Sequence, residues 1–217
     1  SAGPAISSSS PADNATGVAV DANIILTFDE NVVVGSGNIT LKKSSDNSTV
    51  QAMPVGGGNV SASGAVVTIN PSANLDSSQG YYIQIAATAF DDASGNSYAG
   101  INDTTSLNFT AADVLGPTLS SSSPADNATG VAGGANIVLT FNENVVLGSG
   151  NVSLYKTNGT LVEAMNVSSS AVTASTNTVT INPTANLVTL EGYYILIDAT
   201  AIEDASGNSY AGIGNSS

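Results

Sequence analysis

The chain states one domain twice. Residues 7–19 read SSSSPADNATGVA, and residues 120–132 repeat that string letter for letter. Pro11 returns as Pro124, an offset of 113 residues. Ile24–Phe28 (IILTF) returns as Ile137–Phe141 (IVLTF) at the same offset, whereas Asp92–Gly100 returns as Asp204–Gly212 at 112. The second copy therefore drops one residue between Gly148 and Ile181. A solenoid unit runs about 20–50 residues; a period this long is the size of a whole small domain. The expected organisation is two tandem copies, 1–112 and 113–217. Copy one continues past Ile101 through Leu107–Thr110, whereas the sequence stops at Ser217, soon after the matching Ile213. Either the chain is trimmed there, which is the expectation, or copy two lacks its last strand and leaves a sheet edge open.

Helix signals are nearly absent. Gly, Ser, Thr, Asn and Val dominate, which favours strands and turns. Short β-rich runs alternate with turn clusters. In copy one the runs are 5–8, 23–28, 38–42, 50–54, 66–69, 81–87 and 107–110. In copy two they are 118–121, 136–141, 151–156, 161–166, 178–181 and 193–199. Period-two alternation puts Ile24, Leu26 and Phe28 on one face, and Tyr81, Ile83 and Ile85 on another. Asn158-Gly159 predicts a two-residue hairpin turn. About seven short strands in about 110 residues, with turns every 8–12, predict an all-β fold of two tandem immunoglobulin-like Greek-key β-sandwich domains.

Composition narrows the chemistry. The chain has no Cys, His, Trp or Arg, and its only cations are Lys42, Lys43 and Lys156. Seventeen acids give a formal charge of −14. That charge repels phosphate backbones and anionic membrane surfaces, so neither nucleic-acid binding nor membrane insertion is expected. No apolar run reaches the roughly 20 residues of a membrane span, and Ser1-Ala2-Gly3-Pro4 lacks the charged start and apolar core of a signal peptide. The sequence reads as a piece of a longer chain. Without thiol or imidazole, the ordinary zinc sites and nucleophile–base pairs are out of reach. Oxygen ligands on a strongly acidic chain suit hard cations, calcium above all.

The order of motifs is shared by both copies: Pro-Ala-Asp-Asn-Ala-Thr-Gly-Val, then Asn-Ile-x-Leu-Thr-Phe-x-Glu-Asn-Val, then Ile-Asn-Pro, Gly-Tyr-Tyr and Asp-Ala-Ser-Gly-Asn. It resembles the bacterial Ig-like repeats of surface-layer proteins and large repeat adhesins, in particular the SbsA-type Ig-like family, over almost the whole chain. The resemblance implies a β-sandwich, a cell-surface or extracellular setting and a structural or adhesive task. It also implies calcium, which several such proteins bind.

Three acidic clusters recur. Asp29-Glu30-Asn31 matches Asn142-Glu143-Asn144, Asp91-Asp92 matches Glu203-Asp204, and Asp13-Asn14 matches Asp126-Asn127. In an immunoglobulin-like order the loops after the second and sixth strands lie at one end. That end would gather Asp29, Glu30, Asp91 and Asp92 in copy one, and Glu143, Glu203 and Asp204 in copy two. The linker reaching copy two carries Asp113. Carboxylates brought together repel one another unless neutralised, and a calcium ion taking six to eight oxygens would relieve that. The opposing reading is a set of solvated acidic loops. Where the copies differ, Asn142 for Asp29 and Glu203 for Asp91, a side-chain oxygen is kept. Asp13 and Asp126 read as turn residues.

The leading expectation is a non-enzymatic, calcium-stiffened spacer, monomeric, whose partners are neighbouring repeats of the same chain. The alternative is a module binding a cell-surface glycan or protein. A carboxylate hydrolase using Glu143 and Asp204 is disfavoured, because adjacent small modules without cleft-building insertions seldom both carry an active site. Tyr81-Tyr82 and Tyr193-Tyr194 read as one core residue and one sheet-face residue each.

Overall fold

Alternation along Ile24–Phe28 buries Ile24, Leu26 and Phe28 and leaves Ile25 exposed. One face of this strand thus belongs to a core, as its period of two requires. The computed structural model describes residues 2–216 and separates into two units, Ser1–Asp113 and Val114–Ser217. Every regular element among the described residues is a β-strand.

The first unit contains β1 (Ile6–Ser10), β2 (Ala15–Val18), β3 (Ile24–Phe28), β4 (Val33–Val34), β5 (Asn38–Lys43), β6 (Thr49–Pro54), β7 (Val60–Ser63), β8 (Val66–Ile69), β9 (Gly80–Ile85), β10 (Phe90–Asp91) and β11 (Asn108–Ala111). They form one sheet in the order β1-β3-β8-β7 and a second in the order β2-β11-β9-β5-β6. The inner faces meet in one core built on Leu26, Ile39, Leu41, Ile69, Ile83 and Phe90. Phe28 packs against Phe90 and edge-on against Tyr98, at centroid distances of 5.5 and 5.3 Å. Tyr81 enters the core, while Tyr82 lies under the Lys42 ammonium on the outer face, as expected of the pair. The ribbon β4–β10, with Val33 opposite Asp91, ties the loop after β3 to the loop after β9.

The second unit contains β12 (Leu119–Ser123), β13 (Ile137–Phe141), β14 (Val146–Leu147), β15 (Asn151–Lys156), β16 (Leu161–Asn166), β17 (Val172–Ser175), β18 (Thr178–Ile181), β19 (Tyr193–Ile197) and β20 (Ile202–Glu203). Its first sheet, β12-β13-β18-β17, copies that of the first unit, as does the ribbon β14–β20. Its second sheet has three strands, β16-β15-β19, and ends at β19. Among the described residues there is no counterpart of β11, and the segment matching β2 is not a strand.

The missing residue lies in one hairpin. Five residues join β5 to β6, and four join β15 to β16. In the shorter turn Gly159 has φ 84° while Asn158 stays out of the left-handed region, and the ladder shifts register between Leu154 and Tyr155. The turn therefore closes over four residues with a bulge, not over the two expected. Sequence reading also passes over β2, β4, β7, β10, β14, β17 and β20. The two-residue ribbons are too short to show a period, and β2 is hidden in a string of turn residues.

Candidate functional site

Each unit grips its own incoming segment at the end where its acidic loops meet. In the first unit Asp29 and Ala5 exchange bonds: the Ala5 N–H donates to Asp29 Oδ1 at 2.8 Å, and the Asp29 N–H donates to the Ala5 carbonyl at 2.9 Å. In the second unit the Thr118 N–H donates to Asn142 Oδ1 at 2.7 Å, and the Asn142 N–H to the Thr118 carbonyl at 3.0 Å. Pro4 and Pro117, just upstream, are both buried. Gly3 and Gly116 have no room for a side chain, since a Cβ on either would lie 2.1 Å from the carbonyl oxygen of Ser97 or Ser209. The side-chain oxygen kept at Asp29 and Asn142 thus has a structural use, as an acceptor for the backbone of the segment preceding the sandwich.

Asp92 and Asp204 are the two buried charged residues among those described, at 4 % and 3 % exposure. Asp204 Oδ1 accepts the Ser206 and Asn208 N–H groups, each at 2.8 Å, and Oδ2 accepts Asn208 Nδ2 at 2.8 Å. Asp92 makes the same three bonds with Ser94 and Asn96. The loop turns through Gly95 and Gly207, at φ 83° and 86°, a conformation glycine adopts without the Cβ penalty. Asp-Ala-Ser-Gly-Asn is therefore a carboxylate-closed loop. Burial pushes the Asp204 carboxyl up, but the bonds from Asn208, Ser206 and Gly207 outweigh it and hold it below the ordinary carboxylate value, since bonds to the charged form favour it.

Glu143, half-buried, approaches Asp204: their carboxylate oxygens lie within 4.8 Å of one another. Asp204 Oδ1 already accepts two bonds, so Oδ2 offers the remaining lone pair, sufficient for one monodentate metal bond. An all-oxygen pair of this kind fits a hard cation completed by backbone oxygens and water. Glu203 follows on β20, opposite Val146, and its Oε1 accepts from Ser209 Oγ at 3.5 Å. In the first unit Asp91 takes the Ser97 hydroxyl, and Glu30 is exposed. Asp113 accepts the Ser77 hydroxyl at 2.9 Å. The lysines are engaged elsewhere: Lys43 with Asp76 at 2.7 Å, Lys156 with Glu191 at 3.7 Å, and Lys42 over Tyr82.

Asp13 does more than close a turn. Its Oδ1 accepts both the backbone N–H and the Nδ2 of Asn108 at 3.0 Å, tying the first residue of β11 to the loop before β2. The partners are 95 residues apart in sequence, so no local spacing announces the contact.

A repeated sandwich whose loops hold the incoming chain defines a tandem structural module. The chain belongs to the bacterial Ig-like domain family, whose profile matches residues 1–111 and again 113–217. Among solved structures, it is similar to the N-terminal part of the bacterial S-layer protein SbsC, with 14% identity, covering 93% of this chain and 44% of that one, at a TM-score of 0.34. It is also similar to the S-layer protein rSbsC(31-844), with 12% identity, covering 95% and 33%, at a TM-score of 0.34. The chain spans less than half the length of either. No curated protein matches.

Proposed function

We propose that this chain is a non-enzymatic spacer: two Ig-like modules of a bacterial cell-surface or extracellular protein, stiffened by calcium. The observation that carries the reading is the repeated seat for the incoming chain, formed by Asp29 with Ala5 and by Asn142 with Thr118. A module that fixes the segment preceding it suits an array in which direction is passed from repeat to repeat. Membership of the bacterial Ig-like family supports the same assignment.

In the second unit the calcium ligands are Glu143 and Asp204, with Glu203 beside them. In the first unit Asp29, Glu30, Asp91 and Asp92 are the corresponding set. Bound calcium would supply charge neutralisation and a crosslink between loops. The test is small-angle scattering and calorimetric melting with and without chelator. Chelation is expected to lower the melting temperature and broaden the distance distribution. If both stay unchanged, a plain polar spacer remains.

A glycan-binding reading rests on one difference between the copies. Tyr155 and Tyr194 stack in parallel, 5.4 Å apart with 9° between planes, where the first unit places Lys42 over Tyr82. Paired aromatic faces suit sugar rings. Glycan-array binding lost in Tyr155→Ala would favour it over the spacer.

A further inference from the structure

The shortened hairpin of the second unit carries the pair Asn158-Gly159. Asn158 is the one asparagine in the sequence that is followed by glycine. Thr157, Asn158, Gly159 and Thr160, which join β15 to β16, are all exposed. Asn158 Oδ1 accepts the Thr160 N–H at 2.9 Å. The side-chain amide is therefore folded forward along the backbone, past the peptide nitrogen of Gly159, and the donor draws electron density from its carbon. Gly159 has φ 84°, and nothing lies within 4 Å of the place a Cβ would take. Without a Cβ, glycine leaves its own backbone open to close approach. The Gly159 N–H donates to the Lys156 carbonyl at 2.9 Å, one bond of an exposed turn that has to open before the nitrogen can react.

The first unit already carries the product that this pair can form. At the offset of 112 that relates β16 to β6, Asp46 corresponds to Asn158 and Ser48 to Thr160. Asp46 Oδ1 accepts the Ser48 N–H at 2.9 Å, the same bond in the same place. Ser48, through its hydroxyl and then its N–H, holds the Asp46 carboxyl below its ordinary value, because bonds to the charged form favour it. Thr160 has the same two donors to offer a carboxylate at residue 158.

We propose that Asn158 is a self-modification site, at which the side-chain amide is lost by closure onto the Gly159 nitrogen. That nitrogen gives its proton to solvent and bonds to Asn158 Cγ, while the Thr160 N–H supports the negative charge that develops on Oδ1. The Cγ–Nδ2 bond then breaks, and Nδ2 takes up a proton and leaves as ammonia. Water, the only co-reactant, opens the cyclic imide. Cleavage of the bond from Cγ to nitrogen leaves aspartate. Cleavage at the backbone carbonyl leaves isoaspartate, with one extra carbon in the main chain. Either product adds one negative charge to a chain already at −14. Other asparagines are restrained: Asn96 and Asn208, each followed by serine, donate through Nδ2 to Asp92 and Asp204 at 2.7 and 2.8 Å.

The experiment is incubation of the folded 217-residue chain at mildly alkaline pH, with circular dichroism to follow the fold and peptide mass spectrometry at intervals. A one-dalton gain is expected, confined at first to the peptide that holds residue 158, with matching release of ammonia and with isoaspartate detected there by enzymatic methylation. Gly159→Ala should slow the gain at least about tenfold, because a side chain then shields the attacking nitrogen. Asn158→Gln keeps an amide but needs a larger ring, and should slow it likewise. Asn158→Asp should show no gain at this position and keep the parent melting temperature. A gain seen only in the unfolded chain, a gain that appears first at Asn47, Asn96 or Asn208, or equal rates in the parent and both slowed variants overturns the proposal.

Discussion

Asn142 Oδ1 accepts the Thr118 N–H at 2.7 Å in the position where Asp29 Oδ1 accepts the Ala5 N–H at 2.8 Å. One copy does with a neutral amide what the other does with a carboxylate, so negative charge is not needed for this contact. Asp29→Asn is expected to change stability by less than about 0.5 kcal/mol, the usual range for a surface substitution. Asn142→Ala removes the acceptor and should cost about 0.5–1 kcal/mol, with faster exchange of the Thr118 amide. Denaturant unfolding and hydrogen exchange read both. Loss of a calcium response in Asp29→Asn, with stability intact, would separate a metal role from the backbone role.

The incoming segment also depends on having no side chain at Gly116. A methyl group there meets the Ser209 carbonyl at 2.1 Å, and backbone cannot swing aside as a flexible side chain can. Gly116→Ala should destabilise the second unit by about 1–3 kcal/mol, the range for overpacking. Gly214, where a Cβ meets nothing within 4 Å, is the control, and Gly214→Ala should be close to neutral. Differential scanning calorimetry of the pair decides the point.

Asp204 is bound by three donors from its own loop. Asp204→Ala leaves the Ser206 and Asn208 N–H groups without their acceptor, at a cost of about 2–3 kcal/mol. The pH dependence has a definite sign. The folded carboxyl titrates below its ordinary value of 3.8, so its contribution is complete above that value and is lost as pH falls through the lower folded value. Acid unfolding below about pH 4 should therefore be shallower in Asp204→Asn than in the parent, measured by circular dichroism against pH.

Much of the fold was written in local patterns. Period-two alternation located Ile24–Phe28, and the change of offset from 113 to 112 bracketed the shortened hairpin at 157–160. Pairings that depend on distant residues left no such trace. Ala15–Val18 looks like a turn run and becomes a strand because β11 lies alongside it. The acidic loops were visible as a cluster, yet an oxygen that binds a metal and one that accepts an amide hydrogen have the same residue signature. The geometry adds what the residue types do not show, that Asp29 Oδ1 accepts from Ala5 and Asp92 accepts from its own loop.

Tyr98 packs edge-on against Phe28, and its hydroxyl is pushed up to about 12 by burial and, secondarily, by the nearby Asp103 charge. Tyr210 is raised by burial too and sits against Phe141 in the same way. The folded state thus favours the neutral phenol. Its contribution is complete below the unfolded value of 10 and is lost as pH rises through the folded value. Absorbance at the phenolate band should show Tyr98 ionising only as the first unit unfolds. Tyr98→Phe keeps the ring and removes the ionisation, so it should move alkaline unfolding to higher pH while leaving neutral-pH stability within about 1 kcal/mol. A Tyr98 that titrates near 10 in the folded chain would show that its hydroxyl reaches water.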